Sequence, residues 1–133
     1  MTHYWQNDLV RLRSLEPEDW QFFYDWNLET EDQMKMDTLW FPTSTQHVKR
    51  WIEKQLAETI SREEWYFVIE TLAGETVGMI NTRDCKVHDR RFSYGVGVRQ
   101  AFRGKGYAKA AIQLVLAYYF RHKGYQRVEV EVY

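Results

Sequence analysis

The sequence predicts an α/β domain built on a mixed central sheet, with segments in the order β-α-α-β-β-β-α-β. Three observations carry this. Val48, Trp51, Ile52, Leu56 and Ile60 recur at the i, i+3, i+4 spacing of an amphipathic helix. Trp65–Thr71 and Val77–Asp84 flank the turn Ala73-Gly74-Glu75, the pattern of an antiparallel hairpin. The last third alternates strand, short connection, apolar helix and strand, which suits parallel neighbours joined by a right-handed crossover. No repeat, low-complexity tract or Pro/Gly linker divides residues 1–133, so they are expected to form one domain of 16.2 kDa.

Each element has its own warrant. Leu9–Leu15 reads as the first strand. Glu16-Pro17-Glu18-Asp19 opens a helix, with proline at an early position and acids where they suit the helix dipole. Thr43-Ser44-Thr45-Gln46 has the spacing of a capping box ahead of the second helix. After the hairpin, a polar loop, Cys85–Arg91, leads to the strand Phe92–Val98. The helix from Tyr107 to about His122 follows, with Gly124 placed as its C-terminal cap. Val128, Val130 and Val132 alternate with polar neighbours, so Gln126–Tyr133 closes the chain as a strand.

Composition excludes several classes. The apolar run Ala110–Phe120 is far short of the ~20 residues that span a membrane, and mean hydropathy is -0.62. The first ten residues lack the basic-then-apolar pattern of a secretory signal, and the single cysteine, Cys85, forms no internal disulfide, so a reducing cytoplasm is expected. Net charge is -1 but uneven: residues 1–98 hold 11 basic and 17 acidic groups, whereas residues 99–133 hold 7 and 2. Eight acids and one lysine between Glu16 and Asp37 make either a solvated helix face or a surface for a cationic substrate. The stretch from Arg90 to Val128 holds nine basic residues and no acid, which fits a solvated face or a polyanion site.

The chemistry concentrates between Ser93 and Ala108. Phe92, Tyr94, Val96 and Val98 share one face of their strand, leaving Ser93, Gly95 and Gly97 as a nearly bare opposite face. Two glycines at alternate strand positions suggest a close approach by a ligand or a packed helix. Arg103-Gly104-Lys105-Gly106 then stands at the mouth of a helix, where backbone N–H groups, the helix dipole and two cations suit an anion. The loop is not a P-loop, because Lys105 is followed by Gly106. Nor is Gly95-Val96-Gly97 a dinucleotide fingerprint, which needs glycine at Gln100. The histidines His3, His47, His88 and His122 are dispersed, and Cys85-x-x-His88 is half a zinc site at most, so no metal is expected. Trp40 and Phe41, before Pro42, suit either an acceptor pocket or a hydrophobic staple.

Arg103-Gly104-Lys105-Gly106-Tyr107-Ala108 resembles the Q/R-x-x-G-x-G/A signature of the GCN5-related N-acetyltransferase (GNAT) superfamily, in its strand-turn-helix setting. The stretches 92–98, 118–120 and 125–128, with the opening Leu12-Arg13-Ser14-Leu15-Glu16-Pro17-Glu18-Asp19, are similar to the branch containing ribosomal-protein N-terminal acetyltransferases. The resemblance implies acetyl-CoA as cosubstrate, with Val96 and Val98 pairing to the pantetheine arm through their backbones. Backbone N–H groups across Arg103, Gly104, Lys105, Gly106, Tyr107 and Ala108 would hold the pyrophosphate. An unprotonated amine, on a small molecule or a protein N-terminus, would attack the thioester while an N–H near Val98 steadies the oxyanion.

The chain departs from that family in two ways. Ser93 stands where relatives often carry a glutamate base, leaving the catalytic residues unknown, with Asp84 a candidate or merely a turn residue. The resemblance also implies a further helix and two strands, whose helix supplies a tyrosine acid; Tyr133 does not match that role. An unpaired Gln126–Tyr133 edge would then favour a homodimer. Two alternatives remain: a coenzyme A-binding module without turnover, and a nucleic-acid-binding protein using the 90–128 stretch with Phe92, Tyr94 and Phe102 as stacking groups.

Overall fold

A computed structural model describes residues 5–29, 43–57, 64–86, 90–125 and 127–132. Five strands lie in sequence order across one sheet: β1 (Val10–Ser14), β2 (Trp65–Thr71), β3 (Thr76–Lys86), β4 (Arg91–Val98) and β5 (Arg127–Val132). The first four are antiparallel, and β5 joins β4 in parallel, as the crossover pattern predicts. The helices are α1 (Trp20–Asn27), α2 (Thr45–Ala57) and α3 (Tyr107–Ala117).

Alternation along the strands sorts the core into two layers. One side of the sheet presents Val10, Leu12, Phe67, Ile69, Ile80, Phe92, Tyr94, Val96 and Val98 to Ala110, Ala111, Leu114 and Val115 of α3. The other side presents Val68 and Met79 to Phe23 and Trp26 of α1 and Val48 and Ile52 of α2. Each fully buried Val, Ile or Phe contributes about 1.5–3 kcal/mol of transfer free energy, so these two layers dominate cohesion.

Four local details differ from the sequence-based expectation. Ser44, one residue later than the predicted box, caps α2: its Oγ accepts the His47 N–H at 3.0 Å, while the buried Thr43 hydroxyl has no hydrogen-bond partner among the described residues. Cys85 and Lys86 belong to β3 rather than to a loop, because Lys86 pairs with Arg91 across an irregular register. The last helix widens into a π-turn over Tyr118–His122, which stacks Tyr119 on Phe92 at 4.3 Å and brings its hydroxyl to Thr82 Oγ1 at 2.8 Å. Finally, the first helix starts with a 3-10 turn, Pro17–Asp19, whose last acid does more than complement a dipole.

Asp19 is buried and receives two bonds from Arg13, at 2.9 and 2.7 Å, while its carboxylate also accepts the Glu16 N–H at 2.8 Å. Arg13 Nε meets Glu70 on β2 at 2.7 Å, and Arg11 reaches the other Glu70 oxygen at 2.9 Å. The Asp19 hydrogen bonds, reinforced by Glu70, push the Arg13 pKa up against the opposing cost of burial, so the cation is permanent. This cluster pins the start of α1 to β1 and β2. Asp19→Ala is expected to cost about 2 kcal/mol, read as a lower urea midpoint at unchanged slope.

Candidate functional site

Strand β4 and the turn after it form the site. Arg99 N–H donates to Val77 O at 2.9 Å. Facing groups alternate along an antiparallel pair, so Gly97, Gly95 and Ser93 also aim their backbone groups at β3, and Val98, Val96, Tyr94 and Phe92 aim theirs at β5. The Gly95 N–H agrees, donating to Asn81 Oδ1 at 3.0 Å. Strand β5 is described to Val132, opposite Val96, so among the described residues no strand pairs with Val98 on that side. The side chains of Val96 and Val98 are buried beneath α3, leaving the backbone as their chemical handle.

The turn after β4 is exposed and shaped by two left-handed glycines, Gly104 at φ 79° and Gly106 at φ 84°. Gly106 is the N-cap of α3, and its carbonyl takes the helix's first i→i−4 bond, from Ala110 N–H at 3.0 Å. Tyr107, Ala108 and Lys109 precede that bond, so their N–H groups are helix-start donors. Arg103 is arranged differently from its neighbours. Its own N–H donates to Gln100 O at 3.2 Å, and its Nε donates to Val98 O at 2.9 Å. The donor run of the loop therefore starts at Gly104, and Val98 offers its N–H but not its carbonyl. Arg103, Lys105 and Lys109 remain exposed around this donor set.

The opposite face of β4 is the bare one expected from sequence. Ser93 is buried, and its hydroxyl donates to Arg83 O at 3.1 Å. The parallel register places Glu129 opposite Ser93 and Glu131 opposite Gly95. Sequence reasoning missed this pairing; the only available signal was the Val/Glu alternation of the last strand, which does not reveal its register. A cavity of about 560 Å³ opens near the start of β4 rather than at the glycine turn, walled by Leu56, Tyr66, Asn81 and Arg83.

Other expected features resolve as follows. Phe92 and Tyr94 are buried in the α3 core, so they are not exposed stacking groups. Asp19 and Glu29 of the acidic region are committed to Arg13 and Arg99. Asp84 lies within β3, while its side chain and that of Cys85, and residues Trp40, Phe41 and His88, lie outside the described residues. Among the described residues no three His, Cys, Asp or Glu side chains gather as a metal site, and no helix is long and apolar enough to cross a membrane.

The family model for the acetyltransferase (GNAT) domain matches residues 10–133. This chain belongs to the GNAT acetyltransferase family. It is 36% identical over 130 residues to the SPbeta prophage-derived N-acetyltransferase YokL of Bacillus subtilis, covering 98% of this chain and 70% of that protein. Its fold is similar to that of a ribosomal-protein-serine acetyltransferase from Vibrio cholerae (TM-score 0.79, 16% identity, 95% of this chain and 71% of the other). It is likewise similar to the spermidine N-acetyltransferase of Vibrio cholerae, whose structure holds CoA and spermine (TM-score 0.77, 19% identity, 93% and 71%). This GNAT chain is thus an acyltransferase, and the strand-turn-helix at 91–117 stands within the matched domain.

The two left-handed glycines give this GNAT loop a local test. A Cβ on Gly104 meets nothing within 4 Å, so Gly104→Ala isolates the cost of φ alone. About 1 kcal/mol of stability should be lost in urea denaturation.

Proposed function

We propose that this chain transfers the acetyl group of acetyl-CoA to a primary amine on a small molecule or a peptide N-terminus. The observation that carries the proposal is the outward Val98 amide lying beside the exposed donor run that begins at Gly104 and continues into α3. The backbone at Val98 receives the thioester end of the pantetheine arm, whereas Val96, opposite Val132, is paired with β5. The amides of Gly104, Lys105, Gly106, Tyr107 and Ala108 take the pyrophosphate, and the Arg103 side chain braces the turn against Val98 O.

The reaction is a direct displacement. The amine lone pair attacks the thioester carbon, a C–N bond forms, and the carbonyl oxygen becomes an oxyanion held by the Val98 N–H. The intermediate collapses by breaking the C–S bond, and the thiolate is protonated as it departs. The amine must shed a proton, and a serine spent on Arg83 O is no base for it. The amine class draws support from relatives named as acting on spermidine and on the ribosomal protein L7/L12 N-terminus. Partial use of the acidic region in ion pairs leaves Glu16 and Glu18 exposed on the side of α1 and α2.

Two experiments test this. Coenzyme A should raise the melting temperature, and Gly104→Glu or Gly106→Glu should abolish the rise by placing a carboxylate among the donors; no rise with wild type at millimolar CoA overturns the proposal. Thiol should be released from acetyl-CoA in the presence of spermidine or a serine-initiated peptide; CoA binding without release with either amine overturns the transfer step.

A further inference from the structure

Arg99 joins two parts of the chain that are 70 residues apart. Its backbone belongs to the turn after β4: the N–H donates to Val77 O at 2.9 Å, and the carbonyl accepts the Phe102 N–H at 2.8 Å. That second bond closes the 3-10 turn Gln100–Phe102, which leads directly into Gly104. Its side chain belongs to the first helix. Nε donates to Glu29 Oε2 at 2.7 Å, and the guanidinium carbon lies 5.6 Å from the Phe22 ring centroid. Phe22 is itself held edge-on by Phe23 at 5.4 Å and Trp26 at 5.6 Å, so the ring under the guanidinium is fixed by the core. Glu29 is anchored through its N–H to Trp26 O at 3.0 Å.

We infer that Arg99 is a positioning residue for the anion-binding turn, set in place by Glu29 and Phe22 of the α1 side. This rests on the acetyl-CoA site proposed above. Four residues lie between Arg99 and Gly104, and the 3-10 turn among them is closed by the bonds from Phe102 to Arg99 and from Arg103 to Gln100, with the Arg103 side chain bracing it against Val98 O. Releasing the guanidinium lets that turn drift, and the drift reaches the donor run at Gly104–Ala108. The pair also couples the two faces of the sheet: α1 lies on the bare-face side, the turn at the opposite layer's helix mouth.

The pair is partly solvated, with side-chain exposures of 27% and 29%, so its removal is expected to leave the fold intact and produce a modest effect. Glu29→Gln, Arg99→Gln and the double variant would be titrated with CoA by calorimetry, beside their melting temperatures without ligand. Each single variant should weaken CoA binding about three- to fivefold, and the difference from wild type should shrink at about 1 M salt, where the Debye length is ~3 Å. The double variant should be no weaker than Arg99→Gln, since the two residues act as one contact. CoA affinity unchanged in the singles, with only the ligand-free melting temperature lowered, makes the pair a structural strap and overturns the inference. Additive losses in the double variant overturn the pairing of roles. Wild type that binds no CoA overturns the acetyl-CoA proposal itself, a result distinct from both.

Discussion

The parallel pairing of β4 with β5 is the constraint on which the rest of the structure depends. Parallel neighbours need a crossover, and here α3 supplies it, so the start of α3 must stand at the C-terminal end of β4. That one requirement collects the Val98 amide, the left-handed glycines and the helix-start donors within about ten residues of chain. An antiparallel β5 would need no such helix mouth. The same pairing runs β5 along the edge of β4, which is how Glu131 comes to stand opposite Gly95 in register.

The remaining framework keeps β4 where this geometry works. Core residues of α3 press Val96 and Val98 from one side and fix the strand. On the other side, Arg13 welds β1, β2 and the opening of α1 through Asp19 and Glu70. Arg99 then extends that weld from the end of α1 to the turn. Charges that look like a diffuse acidic surface in the sequence are thus partly spent on internal geometry, while Arg103, Lys105 and Lys109 stay exposed around the helix mouth.

Family membership and site geometry bear on different parts of the function. The GNAT match and the YokL relative identify an acyltransferase. They leave the amine open. Gly104 and Gly106 are needed for their positive φ, whereas the amides around them come from any residue.

The sequence by itself determined the order of strands and helices, the bare face of β4 and the glycine turn at the mouth of α3. Those are local properties: periodicity of two or 3.6, and glycines where φ must be positive. It misplaced the α2 cap by one residue and ended β3 early, because a cap depends on the hydroxyl that reaches the helix and a strand end on its partner. Only the tertiary structure decided the Arg13–Asp19–Glu70 cluster, the Arg99–Glu29 contact and the Glu131–Gly95 register. Each joins residues whose separation is set by how β-strands slide past one another, and a slide of one residue moves every side chain to the opposite face.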